Sequence, residues 1–183
     1  MDKVSEAWTT HEKMRVVKCI GNNFKNLAIF KNMPNLEELN MSNNNVAALS
    51  GWESLPKLRK LNLKRNKIEK IEEEGLPELP ALEKLNLHAN KLGDIDNVCR
   101  LFQFPLLVDI NVMKNPVETN STHFSLLIAE IVAKNTKIQR FCKVKITEQN
   151  KLEAVHLAKY RWDKAEAERI AKLKAEAAAA GQE

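Results

Sequence analysis

Groups able to do chemistry are sparse in this chain, and none of them gathers into a reacting set. The four histidines, His11, His88, His123 and His156, are scattered. None stands at metal-ligand spacing from a cysteine, so no metal ligand is assigned. The five glycines do not cluster, which excludes a phosphate-cradling loop. No Gly-x-Ser-x-Gly elbow occurs. Glu72-Glu73-Glu74 lies just before Gly75 and Pro77 and reads as a solvated turn rather than an acid–base pair. No catalytic residue and no cofactor site follow, and the chain is expected not to be an enzyme. Recognition chemistry is what the sequence concentrates. Between Lys57 and Lys70 seven basic residues (Lys57, Arg59, Lys60, Lys64, Arg65, Lys67, Lys70) accompany one acidic residue, Glu69. Such a patch suits an acidic protein surface. Nucleic acid is disfavoured as a partner, because no aromatic side chains interleave with the basic face.

These residues sit inside a repeated pattern, apolar-x-x-apolar-x-apolar-x-x-Asn-x-apolar. Its middle copies are Leu36, Leu39, Met41, Asn44, Val46; Leu58, Leu61, Leu63, Asn66, Ile68; and Leu82, Leu85, Leu87, Asn90, Leu92. Looser copies flank them: Met14, Val17, Cys19, Asn22, Phe24, and Leu107, Ile110, Val112, Asn115, Val117. Successive copies start 22, 22, 24 and 25 residues apart. No copy can bury its apolar side alone, so neighbours must stack into a solenoid.

The alternating centre of each copy predicts a short strand. In Lys60-Leu61-Asn62-Leu63-Lys64 the leucines point one way and the polar residues the other. Stacked copies make a parallel sheet with one buried and one open face. Lys60, Lys64, Lys84 and His88 then form a basic patch on the open face, since neighbouring strands lie ~4.8 Å apart. Asn40, Asn62, Asn86 and Asn111 form a polar column beside it. With Lys18 and Glu38, these are the expected partner-binding positions of the sheet. The repeated Asn22, Asn44, Asn66, Asn90 and Asn115 have a different task. Where the chain turns out of the sheet, a short side chain with both donor and acceptor can satisfy backbone groups inside the solenoid. Proline in Met33-Pro34, Leu55-Pro56 and Leu79-Pro80 marks irregular turns before each leading apolar residue. Residues 96–104 allow a short helix, and Phe30 and Trp52 are expected to fill the gap between layers.

A solenoid needs a cap at each end. Residues 1–13 are expected to be the N-terminal cap, with Val4 and Trp8 over Met14 and Val17. Residues 14–118 hold the repeats and 119–146 the C-terminal cap. In that cap, Phe124, Leu127, Ile128, Ile131 and Val132 mark one face of a helix, and Ile138 and Phe141 follow like a final partial strand. Residues 147–183 form a charged tail. Thr147 suits an N-cap and no Pro or Gly follows before Gly181, which predicts a helix over residues 148–180. Leu152, Val155, Ala158, Trp162 and Ala165 are expected to form its docking stripe. Tyr160, Arg161 and Trp162 add a candidate partner contact, since large aromatics are enriched at interfaces.

Net charge is +5, and no run of about 18 apolar residues exists. Met1 to Thr10 lacks an apolar stretch, so a secretory signal is not expected. Three dispersed cysteines fit reduced thiols better than a disulfide framework. Asn120-Ser121-Thr122 matches a glycosylation sequon by chance on this reading. A cytoplasmic location is expected.

The copies resemble the SDS22-like class of leucine-rich repeats. That resemblance implies an α/β solenoid of five repeats, a parallel sheet on the concave face, a helical C-terminal cap and a long C-terminal helix. The class includes phosphatase regulators, spliceosomal and histone-binding proteins and ciliary proteins. The stretch from Asn115-Pro116-Val117 through Phe124 to Phe141 looks like the terminating cap of its ciliary members. The following Lys159-Tyr160-Arg161-Trp162-Asp163-Lys164-Ala165-Glu166 is similar to the charged helix of radial-spoke members and, less closely, of the axonemal dynein light chain. The resemblance implies a structural subunit of the ciliary or flagellar axoneme, part of the cytoskeleton, within a larger hetero-complex. A light-chain-like subunit or a cytosolic adaptor of the phosphatase-regulator type is the alternative.

Overall fold

In a computed structural model, which describes residues 12–180 apart from 31, 32, 52, 73, 121–123 and 136, each copy of the pattern contributes one strand. β1 (Val16–Lys18), β2 (Glu38–Asn40), β3 (Lys60–Asn62), β4 (Lys84–Asn86) and β5 (Asp109–Asn111) pair in parallel, in chain order. Register follows the pattern without slip: Val17, Leu39, Leu61, Leu85 and Ile110 stand side by side. Each strand buries this central residue and turns its two flanking residues to the other face. Leu36, Leu58, Leu82 and Leu107 stack below them, as do Met41, Leu63, Leu87 and Val112, all buried in one continuous core. This is the expected parallel solenoid of five repeats.

Local chemistry accounts for the path between strands. The amides of Leu36, Leu58 and Leu82 donate to the carbonyls of Met33, Leu55 and Leu79 at 3.1 Å. Pro34, Pro56 and Pro80 thus occupy the second position of hydrogen-bonded turns, where a fixed φ near −65° is an advantage. At the other end of each strand a single residue turns left-handed: Gly21, Asn43, Arg65, Ala89 and Lys114, at φ 70°, 57°, 55°, 55° and 58°. Each directly precedes a repeat asparagine. Between β4 and β5 the connection forms α1 (Ile95–Arg100) followed by one turn of 3₁₀-helix. Asp94 caps α1 by accepting from the Asn97 amide at 2.8 Å. Asn97 in turn accepts from the Ile71 amide at 2.7 Å. Phe30 is buried and its ring packs against Phe24. Trp52, Val4 and Trp8 lie outside the described residues.

The asparagine ladder forms from the second copy onward. Asn66 donates to the carbonyls of Met41 and Leu63 at 2.9 and 3.0 Å and accepts from the Val46 amide at 3.0 Å. Asn44, Asn90 and Asn115 repeat that arrangement one copy earlier and later. Asn22 does not join. It is exposed and makes one 3.3 Å contact, to Ile20 in its own copy. Every rung bonds to the copy before it, and among the described residues no copy precedes Asn22.

Beyond β5, α2 (Pro116–Asn120) and α3 (Phe124–Lys134) cover the end of the solenoid. Then β6 (Arg140–Phe141) extends the sheet in parallel, with Phe141 beside Ile110. β7 (Val144–Lys145) folds straight back on β6 antiparallel. Cys142 and Lys143 make that two-residue turn with φ of 50° and 69°, the left-handed pair that such hairpins demand. Val144-Lys145 has no apolar alternation to announce a strand, so β7 was not legible in sequence.

α4 (Glu148–Ala180) has the expected span. Thr147 and Asn150 cap it reciprocally: the Asn150 amide donates to the Thr147 hydroxyl, and the Thr147 amide to the Asn150 side chain. α4 packs against α3, but Leu152, Val155 and Ala165 of the expected stripe stay exposed, and the side chains of Ala158 and Trp162 lie outside the described set. Ala154 is buried and Leu157 half-buried, whereas Leu152 and Val155 are 56% and 63% exposed. A small residue lets the two helices approach, and α3 already supplies the apolar bulk through Ile128, Ile131 and Val132. No helix among the described residues is long and apolar enough to cross a membrane.

Candidate protein-interaction groove

The open face of the sheet is a shallow groove of about 370 Å³. Two rows of side chains floor it, fixed by strand register. Val16, Glu38, Lys60, Lys84, Asp109 and Arg140 form the first row. Lys18, Asn40, Asn62, Asn86 and Asn111 form the second. The predicted positions Lys18, Glu38, Asn40, Lys60, Asn62, Lys84, Asn86 and Asn111 therefore share one surface. Lys64 and His88 lie just past it, where the chain leaves β3 and β4.

The asparagine column is more specific than its composition implied. Each side-chain oxygen accepts from a backbone amide two residues on, at 3.1 Å: Asn40 from Ser42, Asn62 from Lys64, Asn86 from His88 and Asn111 from Met113. That bond fixes the rotamer and takes one of the oxygen's two lone pairs. The amide NH₂ groups, with two protons each, are the larger capacity left for a ligand, so this column presents mainly donors. Asn111, expected on the open surface, is buried beside the Cys142–Lys143 turn, although it still lines the groove.

The basic patch is also redistributed. Lys60 pairs with Glu38 across β2 and β3. Arg59 pairs with Glu83 at 2.9 Å, raising the guanidinium pKa and holding the carboxyl below its usual range through the shared hydrogen bond. Lys70 pairs with Glu72. Burial lowers the pKa of His88, and Lys64, Lys114 and Lys143 lower it further. The imidazole is therefore neutral near pH 7 rather than one of four cations. Its Nδ1 is closed to solvent and has no hydrogen-bond partner among the described residues. Lys114 and Lys143 escaped sequence reading because they lie outside the alternating strand positions. Only the left-handed turns bring them to this edge.

On α4, Tyr160 is 67% exposed, beyond the segment docked on α3. Arg161 and Trp162 belong to the same helix, with side chains outside the described set. Tyr160 and the groove are thus separate surfaces. Among the described residues no group of three or more His, Cys, Asp or Glu is placed to hold a metal ion. Cys19, Cys99 and Cys142 form no disulfide, and burial pushes the Cys142 thiol up to about 11.

Comparison with known proteins gives the same architecture. No curated protein matches the chain significantly. Among solved structures, a chain of the Drosophila melanogaster SNF/U2A′ complex superposes with a TM-score of 0.63 at 23% identity, over 75% of this chain and 78% of that one. At that identity the likeness is one of fold. A family model described as leucine-rich repeat matches residues 9–171, from before the first strand to well into α4. With the strand register and asparagine ladder above, this makes the chain a member of the leucine-rich-repeat family.

Proposed function

We propose that the chain is a non-catalytic scaffold that holds a protein partner in the groove, as one subunit of a larger hetero-complex. The observation that carries this reading is the column of side-chain amides. Asn40, Asn62 and Asn86 are locked by their own backbone and aim spare donors along an open surface. Fixed donors lose little freedom on binding, so their hydrogen bonds to a partner's carbonyl groups are preorganised. That the fold neighbour was solved in a complex supports the same use of the architecture. The test is site-specific photo-crosslinking in native extract. A photo-reactive residue replacing Asn62 should capture a defined partner, whereas one replacing Glu78, which lines a surface away from the groove, should not. Equal capture at both positions would refute the groove as the interface.

We place this subunit in the ciliary axoneme, at a radial spoke, with α4 as a second contact. The resemblance of the cap and of the charged helix after it supports that placement. Tagged protein should remain with detergent-extracted axonemes, and a wholly soluble pool would sink this placement without touching the groove. Capture of a phosphatase or other catalytic subunit would favour the regulatory adaptor instead.

A further inference from the structure

The charges of the groove are not evenly matched from edge to edge. Where the chain enters the strands, they pair among themselves: Arg15 with Glu37 at 3.3 Å and Arg59 with Glu83 at 2.9 Å. On the floor, Lys60 is held by Glu38, Lys84 and Arg140 both flank Asp109 in register, and among the described residues Lys18 has no ion pair. At the edge where the chain leaves the strands the balance fails. The Arg65 amide donates to the His88 carbonyl and the Ala89 amide to the Met113 carbonyl, both at 2.8 Å, so Lys64, His88 and Lys114 stand in adjoining turns, and Lys143 follows at the hairpin beyond; all three lysines act on the His88 imidazole. Among the described residues none of the three side chains forms an ion pair; the Glu118 carboxylate accepts from the Lys114 backbone amide at 2.6 Å and contributes one negative charge at this edge.

Lys143 reaches this edge through the hairpin at the end of the sheet. It sits at the tip of the β6–β7 hairpin at φ 69°, next to Cys142 at φ 50°. Residues with side chains adopt that pair of conformations only at a cost. Burial of Cys142, whose thiol lies in hydrogen-bonding reach of the Val112 and Met113 backbone, anchors the tip. The strained turn thereby sets Lys143 into the groove lining.

We propose that Lys64, Lys114 and Lys143, gathered about His88, form the anion-binding edge of the groove and take a run of carboxylates on an acidic segment of the partner protein. The proposal rests on the groove reading above and names the partner's chemistry. The same segment's backbone carbonyls accept from Asn62 and Asn86. Strands β3 to β6 span roughly 15 Å, the reach of four or five extended residues. Among the described residues no aromatic side chain lines the groove, so none of them would stack a nucleobase.

The test is fluorescence anisotropy on the full chain. The probe is a labelled dodecapeptide of alternating Glu and Ser, with its Gln–Ser counterpart as control. Lys64→Gln, Lys114→Gln and Lys143→Gln together should weaken binding of the acidic peptide about tenfold, or ~1.4 kcal/mol. Lys18→Gln, Lys60→Gln and Lys84→Gln remove the same charge from the floor and should weaken it by less than about threefold. If the first triple variant melts early, Lys64→Gln alone should give about a twofold loss, since Lys64 has no left-handed backbone to disturb. Equal losses from the two triple variants, equal binding of the Gln–Ser peptide, or tighter binding of a single-stranded oligonucleotide would overturn the proposal. Capture of a partner at Asn62 without any preference for the acidic peptide would sink this proposal and leave the groove reading standing. No capture at Asn62 would sink both.

Discussion

Replacing Asn66 with Ala tests the ladder, because its cost can be worked out bond by bond. The side chain bonds the carbonyls of Met41 and Leu63 and the amide of Val46. The two carbonyls are shared: Met41 also accepts from Asn44, and Leu63 also accepts from Asn90. Each keeps one donor after the substitution. The Val46 amide has no such reserve, lies in a buried turn, and becomes an orphan. Leaving a buried donor unmade costs ~1–3 kcal/mol, and each lost second bond to a carbonyl about 0.5 kcal/mol. The sum is about 3 kcal/mol, or roughly 6–12 °C in melting temperature for a chain of this size. Asn66→Asp should be worse still, since it sets a carboxylate against two carbonyl oxygens. Asn22→Ala should cost less than about 0.5 kcal/mol, because Asn22 is exposed with a single long contact. Urea unfolding followed by circular dichroism reads all three. If Asn66→Ala falls within about 1 kcal/mol of wild type, or Asn22→Ala matches it, the ladder does not stabilise the solenoid as reasoned.

Two other perturbations probe where the structure departs from sequence expectation. Ala154→Glu should destabilise by about 2 kcal/mol and release α4 from α3, while Leu152→Glu should leave melting unchanged, because only Ala154 is buried. Limited proteolysis within α4 distinguishes them, and equal sensitivity of the two variants refutes the docking face. His88 gives a pH dependence of definite sign. Its folded pKa is lowered, so as pH falls through about 6.5 the unfolded chain takes up a proton that the folded chain resists, and stability drops. The cations facing it are Lys64, Lys114 and Lys143. His88→Gln should flatten the slope of stability between pH 7.5 and pH 5.5, and an unchanged slope would show that His88 is not its source.

Much of the fold was legible because each repeat solves the same local problem. Leu39, Leu61 and Leu85 must face a neighbour, and Pro56 and Pro80 set the turns that lead into their strands. The span of α4 was readable from Thr147 and the absence of breakers. Its docking face was not, because Leu152 and Ala154 differ only in what α3 presents to them. The candidate site was legible as a set of positions but not as chemistry. Lys60 and Glu38 are 22 residues apart in sequence and meet only across adjacent strands. One lone pair of the Asn62 oxygen is taken by the Lys64 amide in its own turn, which tilts an apparently neutral column toward donors.

The chain by itself determined the solenoid, since hydrophobic spacing and turn chemistry are local instructions repeated five times along the described strands. It also determined that no gathered set of reactive groups follows from sequence spacing. Tertiary structure alone decided three things: that Asn22 stands outside the ladder, that Lys60 is neutralised while Lys64 is not, and that a hairpin delivers Lys143 to His88. The physical reason is common to all three. A side chain's charge state and free hydrogen-bonding capacity depend on which neighbours lie within a few ångströms. In a stacked fold those neighbours come from other copies: 22 residues separate Lys60 from Glu38, and 55 separate Lys143 from His88.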